Sequence, residues 1–416
     1  MVRDIILTQK QELERRLKEP YIERESRLAN LESDVIKVIT GPRRAGKSFF
    51  AINALSGEGS FGYVNFDDER LIGEKDYDSI TDAVNSVYAS PGYLLFDEIQ
   101  NLDGWELFVN RLQRRGYNLV LTGSNSKLLS RELATHLTGR HTQTTIFPFS
   151  FREYLKLETK ELTENQTKEK LEEYLEYGGY PEPCVKKLDY KDYLSTLFSS
   201  IIYKDIVKRH RMRSYSAMED LAAYLLANTA KEFSMATLSK VTKTKSPRTV
   251  EKYLGFLEES YLFFRIDRFS CKIREQMASN KKIYCIDNGY IYAKAFKISP
   301  DKGKLYENLV AIELKKRETD GGIKVYYWKN AQQEEVDFLV RQGTKTEELI
   351  QVCYDTGDIK TKEREIRALI KASKEQKCDK LTVITKDCES TQDEEWFGTK
   401  KRIRYIPMWK WLITPV

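Results

Sequence analysis

"ITGPRRAGKSFF", Ile39 to Phe50, decides how the N-terminal part of this chain folds. The residues before it, Val35-Ile36-Lys37-Val38-Ile39, are β-branched except for the lysine, a composition that suits a short buried parallel strand. After it, Phe49-Phe50-Ala51-Ile52-Asn53-Ala54-Leu55 reads as a helix. Between them lies G-x-x-x-x-G-K-[ST], and the order strand, glycine loop, helix is the context that a phosphate-binding loop demands. Its glycines let successive backbone N–H groups converge, and the following helix adds unpaired N–H groups and its positive dipole end. An anion belongs there. The pattern arises by accident in a chain of this length on the order of once per hundred sequences. Gly41, Pro42, Arg43, Arg44, Ala45, Gly46, Lys47, Ser48 and Phe49 are therefore the expected cradle. Lys47 supplies a point charge to the β- and γ-phosphates, and Ser48 a hydroxyl to Mg²⁺.

A second glycine pattern, Gly57-Glu58-Gly59-Ser60-Phe61-Gly62, follows a helix and precedes the strand Tyr63–Phe66. That order is the reverse of the one dinucleotide binding needs, so it reads as a loop. A phosphate loop also needs a metal-binding strand. Tyr93-Leu94-Leu95-Phe96-Asp97-Glu98 provides an apolar strand ending in two carboxylates, Asp97 for Mg²⁺ and Glu98 as general base. A third strand, Asn118–Thr122, runs into Gly123-Ser124-Asn125-Ser126, where Ser124 or Asn125 can sense the γ-phosphate or serve only as a helix cap.

The order of the phosphate loop, "LLFDEIQNL", "LVLTGSNSKLLS", "HLTGRHTQTTIFPFSFREYL" and "YLEYGGYPE" resembles the AAA-type ATPases of archaea and bacteria whose C-terminal half is a long-uncharacterised domain. The resemblance implies an arginine-finger or sensor role for Arg140, within its own subunit or on a neighbour. It also implies a base-side role for Arg24 and hydrolysis of ATP with Mg²⁺.

Composition sets the outer limits. The chain has 416 residues, enough for two to four domains, and its 41% hydrophobic content argues for folded structure. Its 69 basic and 63 acidic residues leave a net charge of +6, which permits a polyanion partner without requiring one. The six cysteines form no C-x-x-C pair and suggest neither zinc nor disulfides. Without a membrane-length apolar run, the expectation is a soluble cytoplasmic protein with no membrane partner.

Downstream, Phe151 to about Ala230 is helical, punctuated by Gly178-Gly179-Tyr180-Pro181, a hinge or a plain connector. Phe233–Phe269 resembles a winged helix-turn-helix: a helix and turn, then Ser246-Pro247 opening a second helix with Val250, Tyr253, Leu254 and Leu257 on one side, then an apolar run as the first wing strand. Lys243, Lys245, Arg248 and Lys252 are its candidate contacts to duplex or branched DNA, and Lys208–Arg213 forms a second basic run. Glu251, Glu258 and Glu259 weaken that reading, and winged helices also dock proteins.

The tail resembles the restriction-endonuclease-like fold, with Glu307 on a helix and Asp337 on a strand. Gln351 and Cys353 stand where that family carries a metal-binding glutamate and a lysine, so a degenerate, non-cutting domain is favoured over an active nuclease. The expected architecture is α/β: a P-loop NTPase core of AAA type with a parallel sheet (1–155), a helical lid (156–230), a winged helix (231–300) and an endonuclease-like α/β domain (301–416). Its output is DNA action, a nucleotide-gated protein-binding switch, or metal-dependent cleavage. Monomer and homo-oligomer both remain open.

Overall fold

A computed structural model describes residues 1–124, 140–212, 214–244, 246–294, 301–355, 357 and 359–414. The chain divides into two compact units, Met1–Phe149 with Glu259–Tyr261, and Ser150–Glu258 with Leu262–Val416. Among the described residues, no helix is long and apolar enough to cross a membrane.

The first unit is built on five parallel strands: β1 (Ile36–Thr40), β2 (Phe61–Asn65), β3 (Tyr93–Asp97), β4 (Asn118–Gly123) and β5 (His141–Thr145). Their spatial order is β2-β3-β4-β1-β5, so β1 lies between two strands distant in sequence. Every residue of β1 is buried, as its β-branched run requires. Lys37, in the middle of that run, is buried too, and its ammonium reaches the Ser33 carbonyl. The helices α1 (Val2–Arg16), α2 (Lys47–Ser56), α3 (Tyr77–Tyr88) and α4 (Trp105–Arg114) pack on the strands. The stretch Gly57–Gly62 is a loop running into β2, as its reversed context predicts.

The second unit opens with helices: α5 (Phe151–Leu155), α6 (Glu164–Tyr177), α7 (Pro181–Lys186), α8 (Tyr190–Ser200, continuing as a wider π turn to Lys208) and α9 (Tyr215–Ala227). Next come β6 (Lys231–Phe233), α10 (Met235–Val241), α11 (Pro247–Glu259), β7 (Phe263–Arg268), α12 (Ile273–Ala278), β8 (Lys281–Cys285) and α13 (Asn288–Lys294). After these stand α14 (Lys302–Asp320), β9 (Lys324–Lys329), β10 (Glu335–Gln342), β11 (Lys345–Cys353) and α15 (Ile359–Gln376). The chain closes with β12 (Leu381–Thr385), β13 (Ser390–Trp396), β14 (Thr399–Pro407) and α16 (Met408–Ile413).

Its nine strands form one mixed sheet, ordered β13-β14-β12-β11-β10-β9-β7-β8-β6. The strands expected as a wing and those of the tail are thus joined, through the parallel pairing of β7 with β9 at Asp267↔Tyr326. Helix α14 is buried over most of Leu305–Leu314 instead of showing one apolar face, because β8, β9 and β11 pack against it along with α6 and α13.

Gly178-Gly179-Tyr180-Pro181 is pinned in place. The buried Asp287 carboxylate accepts the N–H groups of Gly179 and Gly289, each at 2.8 Å. Burial pushes this carboxyl up to about 6, against the pull of those two N–H groups. Gly178 has φ +75° and ψ −166°, a conformation essentially confined to glycine, and a Cβ there would lie 1.7 Å from Asp287 Oδ1. The segment is a fixed joint within this unit. Gly178→Ala is expected to destabilise the protein by about 2–5 kcal/mol, read as a lower urea midpoint with unchanged slope. An unchanged midpoint would contradict the joint.

Candidate nucleotide-binding site

In an all-parallel sheet, the carboxyl ends of β1, β3 and β4 lie side by side, and each delivers one part of the site. The phosphate loop leaves β1 at Gly41, whose φ is +144° and where a Cβ would meet the Ile146 carbonyl oxygen at 2.0 Å. Arg44 adopts φ +65°, rare for a residue with a side chain, as the loop curls before α2 begins at Lys47. Lys47 is buried, its ammonium donating to the Pro42 carbonyl at 3.1 Å and standing 3.7 Å from Glu98.

Asp97, the last residue of β3, is the hub. The Ser48 hydroxyl donates to Oδ1 at 2.8 Å, the Tyr63 hydroxyl to Oδ2 at 3.0 Å, and Thr122 to Oδ1. Arg16 of α1 donates to the Tyr63 hydroxyl at 3.1 Å. Burial, followed by the neighbouring Glu98 charge, raises the Asp97 carboxyl against those three donors. Glu98 sits at φ +51°, and its N–H donates to the Thr122 hydroxyl at 3.0 Å. Burial pushes its carboxyl up, but Lys47, Gln100 and Arg43 outweigh that push and hold it below the usual range. Glu98 is therefore ionised at neutral pH, as a proton acceptor must be. The side-by-side Ser48 and Asp97 oxygens are the hard donors that Mg²⁺ takes, so these residues fit that ion.

Three family models match in succession: an AAA domain over residues 33–155, a domain of unknown function (DUF8612) over 168–302, and a domain of unknown function (DUF4143) over 302–411. An uncharacterized protein of Methanocaldococcus jannaschii is 37% identical over 402 residues, which cover 91% of this chain and 88% of that protein. The chain belongs to this AAA-domain family. An uncharacterized protein of Haemophilus influenzae is 30% identical, covering 80% of this chain and 87% of its own length. Among solved structures, the Walker-type ATPase Paby2304 of Pyrococcus abyssi matches at 17% identity with a TM-score of 0.44, over 68% of this chain and 95% of that one.

This AAA-domain protein brings Lys47, Ser48, Asp97 and Glu98 together, but not every residue singled out in the sequence. Ser124 is buried at the end of β4, near enough to Glu98 to hold its carboxyl down but outside hydrogen-bond geometry. Asn125 lies outside the described residues, as does Lys245. Arg24 donates to the Ala45 and Phe147 carbonyls and lies over the Phe149 ring, so it braces the phosphate loop from within its own unit.

Arg140 stands apart from this cluster. It is exposed just before β5, and its carbonyl accepts the Ile36 N–H at the opposite end of β1 from Gly41. The five residues of β1 between them span about 16 Å, beyond the reach of one arginine side chain.

In the second unit, Lys243, Arg248 and Lys252 are exposed, and Val250, Leu254 and Leu257 are buried on the other side of α11. Lys252 stands 5.4 Å from the centre of the Phe256 ring, on which His210 stacks at 3.6 Å, so the two basic runs of the sequence adjoin. Burial, then Arg209 and Lys252, depress His210 to about 4, leaving it neutral at pH 7. Glu251 and Glu258 are both engaged by Arg265, at 2.8 and 2.6 Å.

In the tail, Asp337 and Gln351 meet: Gln351 Nε2 and the Val352 N–H both donate to Asp337 Oδ2, at 2.9 and 3.0 Å. Glu307 and Asp337 flank the buried ammonium of Lys282. The Cys353 thiol is turned away, donating to the Asp355 carbonyl. Sequence reasoning missed Thr122, Tyr63 and Lys282. Thr122 and Tyr63 had only a faint signal, a polar group in a largely apolar strand, and Lys282, next to Lys281, had none.

Glu98→Gln is expected to lower ATP turnover about 10²–10⁴-fold while leaving nucleotide binding intact. Thr122→Val, which loosens both carboxylates, should cost about 10–100-fold. Steady-state turnover beside fluorescent-nucleotide binding checks both, and normal turnover in Thr122→Val would remove that residue from the site.

Proposed function

We propose that this protein hydrolyses ATP to ADP and phosphate and that DNA engages its winged-helix segment. The observation that carries the first part is the connected set Lys47, Ser48, Asp97, Glu98 and Thr122 at the carboxyl edge of the parallel sheet. The phosphates of ATP take the loop N–H groups, and Lys47 exchanges the Pro42 carbonyl for phosphate oxygens. Ser48 and Asp97 would hold Mg²⁺, which when bound would neutralise charge on the phosphates. Glu98, aligned by Thr122, accepts the proton of the attacking water. Tyr63 and Gln100 keep these carboxylates oriented.

The position of Arg140 supports a homo-oligomer in which a neighbouring chain supplies that arginine to the γ-phosphate. Mixing Arg140→Ala chains with Lys47→Ala chains should then recover part of the turnover that each lacks alone. Full activity in Arg140→Ala by itself would dismiss the role.

The DNA reading is supported by the order β6, α10, α11, β7, β8 of a winged helix and by Arg248 and Lys252 on the outer side of α11. The acidic residues that count against it in the sequence are partly offset, since Arg265 pairs with two of them. The tail's α14, β9, β10, β11, α15, β12 order supports an endonuclease-like fold, and its Gln351 and Cys353 support the absence of cleavage. The exposed Ile273 and Met277 of α12 favour a second reading, a nucleotide-gated switch that binds a protein.

Duplex or branched DNA is expected to raise ATP turnover in the wild type and to bind with affinity falling steeply in salt. Arg248→Glu with Lys252→Glu should reduce that slope by about 2, and Lys47→Ala should bind DNA without turnover. DNA without effect on turnover, together with recovery of one stable protein partner, would favour the switch.

A further inference from the structure

Helix α1 ends at the half-buried Arg16, and the AAA-domain match begins only at residue 33, so this helix lies outside the matched core. Gln9, in its middle, is 1% exposed and holds the helix against the outer strand β2. The Gln9 side-chain amide accepts the Asn65 N–H at 2.9 Å and donates to the Asn65 carbonyl at 3.1 Å, the pair of bonds a neighbouring strand would make. It also donates to Asp68 Oδ2 at 3.2 Å. With α1 seated this way, Arg16 reaches Tyr63, two residues before Asn65 on β2.

Across Tyr63 the direction of each hydrogen bond is forced. A guanidinium only donates and a carboxylate only accepts. The phenol oxygen, 3.1 Å from Arg16 Nη1, therefore takes that N–H and gives its own proton to Asp97 Oδ2 at 3.0 Å. Accepting from a charged donor makes the phenol a stronger donor in turn. Oδ2 is thereby secured, and Oδ1 stays turned to the Ser48 hydroxyl, the side on which these two residues would hold Mg²⁺. A guanidinium paired directly with the carboxylate would compete with a cation for its oxygens. One phenol away, Arg16 steadies Asp97 without occupying it.

We infer that Arg16 is a positioning residue of the nucleotide site, which through the Tyr63 hydroxyl holds Asp97 in the orientation that takes Mg²⁺. The N-terminal helix is then a working part of the site, and lifting α1 from β2 weakens metal binding. This rests on the reading of the site as one for ATP with Mg²⁺.

The test is the affinity of the full-length protein for a fluorescent, non-hydrolysable ATP analogue, measured in Mg²⁺ and again in EDTA. The gain on adding Mg²⁺ is expected to be about 10-fold smaller in Arg16→Met than in wild type, while affinity in EDTA stays within about twofold. Tyr63→Phe, which keeps the buried ring, should lose at least as much of the gain. Adding Arg16→Met to it should lose nothing further, because the arginine then has no hydroxyl to act through. In turnover assays Arg16→Met should raise the Mg²⁺ concentration at half-maximal rate about 10-fold and lower kcat by less than about threefold. A full Mg²⁺ gain in Arg16→Met, an equal loss of affinity with and without Mg²⁺, or additive losses in the double variant would overturn the inference alone. A wild type that binds the analogue no more tightly in Mg²⁺ than in EDTA would overturn the reading of the site as well.

Discussion

The nucleotide half of the molecule is assembled on one buried carboxylate. Asp97 receives hydroxyl protons from α2, β2 and β4, so the start of the helix after the phosphate loop and both strands beside β3 are tied to a single acceptor. A parallel sheet makes this possible, because it delivers its carboxyl ends to one edge and leaves buried backbone groups already paired. Thr122 has a double task there: it donates to Asp97 and accepts from the Glu98 N–H, fixing two neighbouring acids with one hydroxyl. The left-handed backbone at Glu98 persists because these bonds determine it.

The second unit depends on the same device with different chemistry. Asp287 gathers the N–H groups of Gly179 and Gly289, and Lys282 gathers three carboxylates. Buried charge is costly unless hydrogen-bonded; Lys282 has three carboxylate partners, while Asp287 has two N–H donors that only partly offset its burial. Each joins segments far apart in the chain where apolar contact alone would leave register less strictly specified.

The core of the site was legible because it is local. Gly41–Ser48 lies in one contiguous stretch, and the pair Asp97-Glu98 ends an unmistakably apolar strand. What escaped the sequence depends on lateral neighbours. Thr122 matters because β4 lies beside β3, and no spacing along the chain reveals that pairing. Arg140 reads as a residue near nucleotide until the parallel pairing of β5 with β1 puts it at the far end of the sheet. The glycine pair at 178–179 has the composition of a hinge, yet a carboxylate more than a hundred residues away holds it still. The alternation of helices and strands in the middle and tail was visible as element order, but their merger into one sheet rests on the short pairing of β7 with β9.

That merger has a mechanical consequence. A wing attached by a loop can tilt as a leaf does on its stalk, but here the strands that follow α11 are hydrogen-bonded into the same sheet as the tail. Torque applied to α11 by anything it grips is transmitted to the nine-stranded sheet as a whole. Strands β9 to β14 then give that helix an anchored base within one sheet.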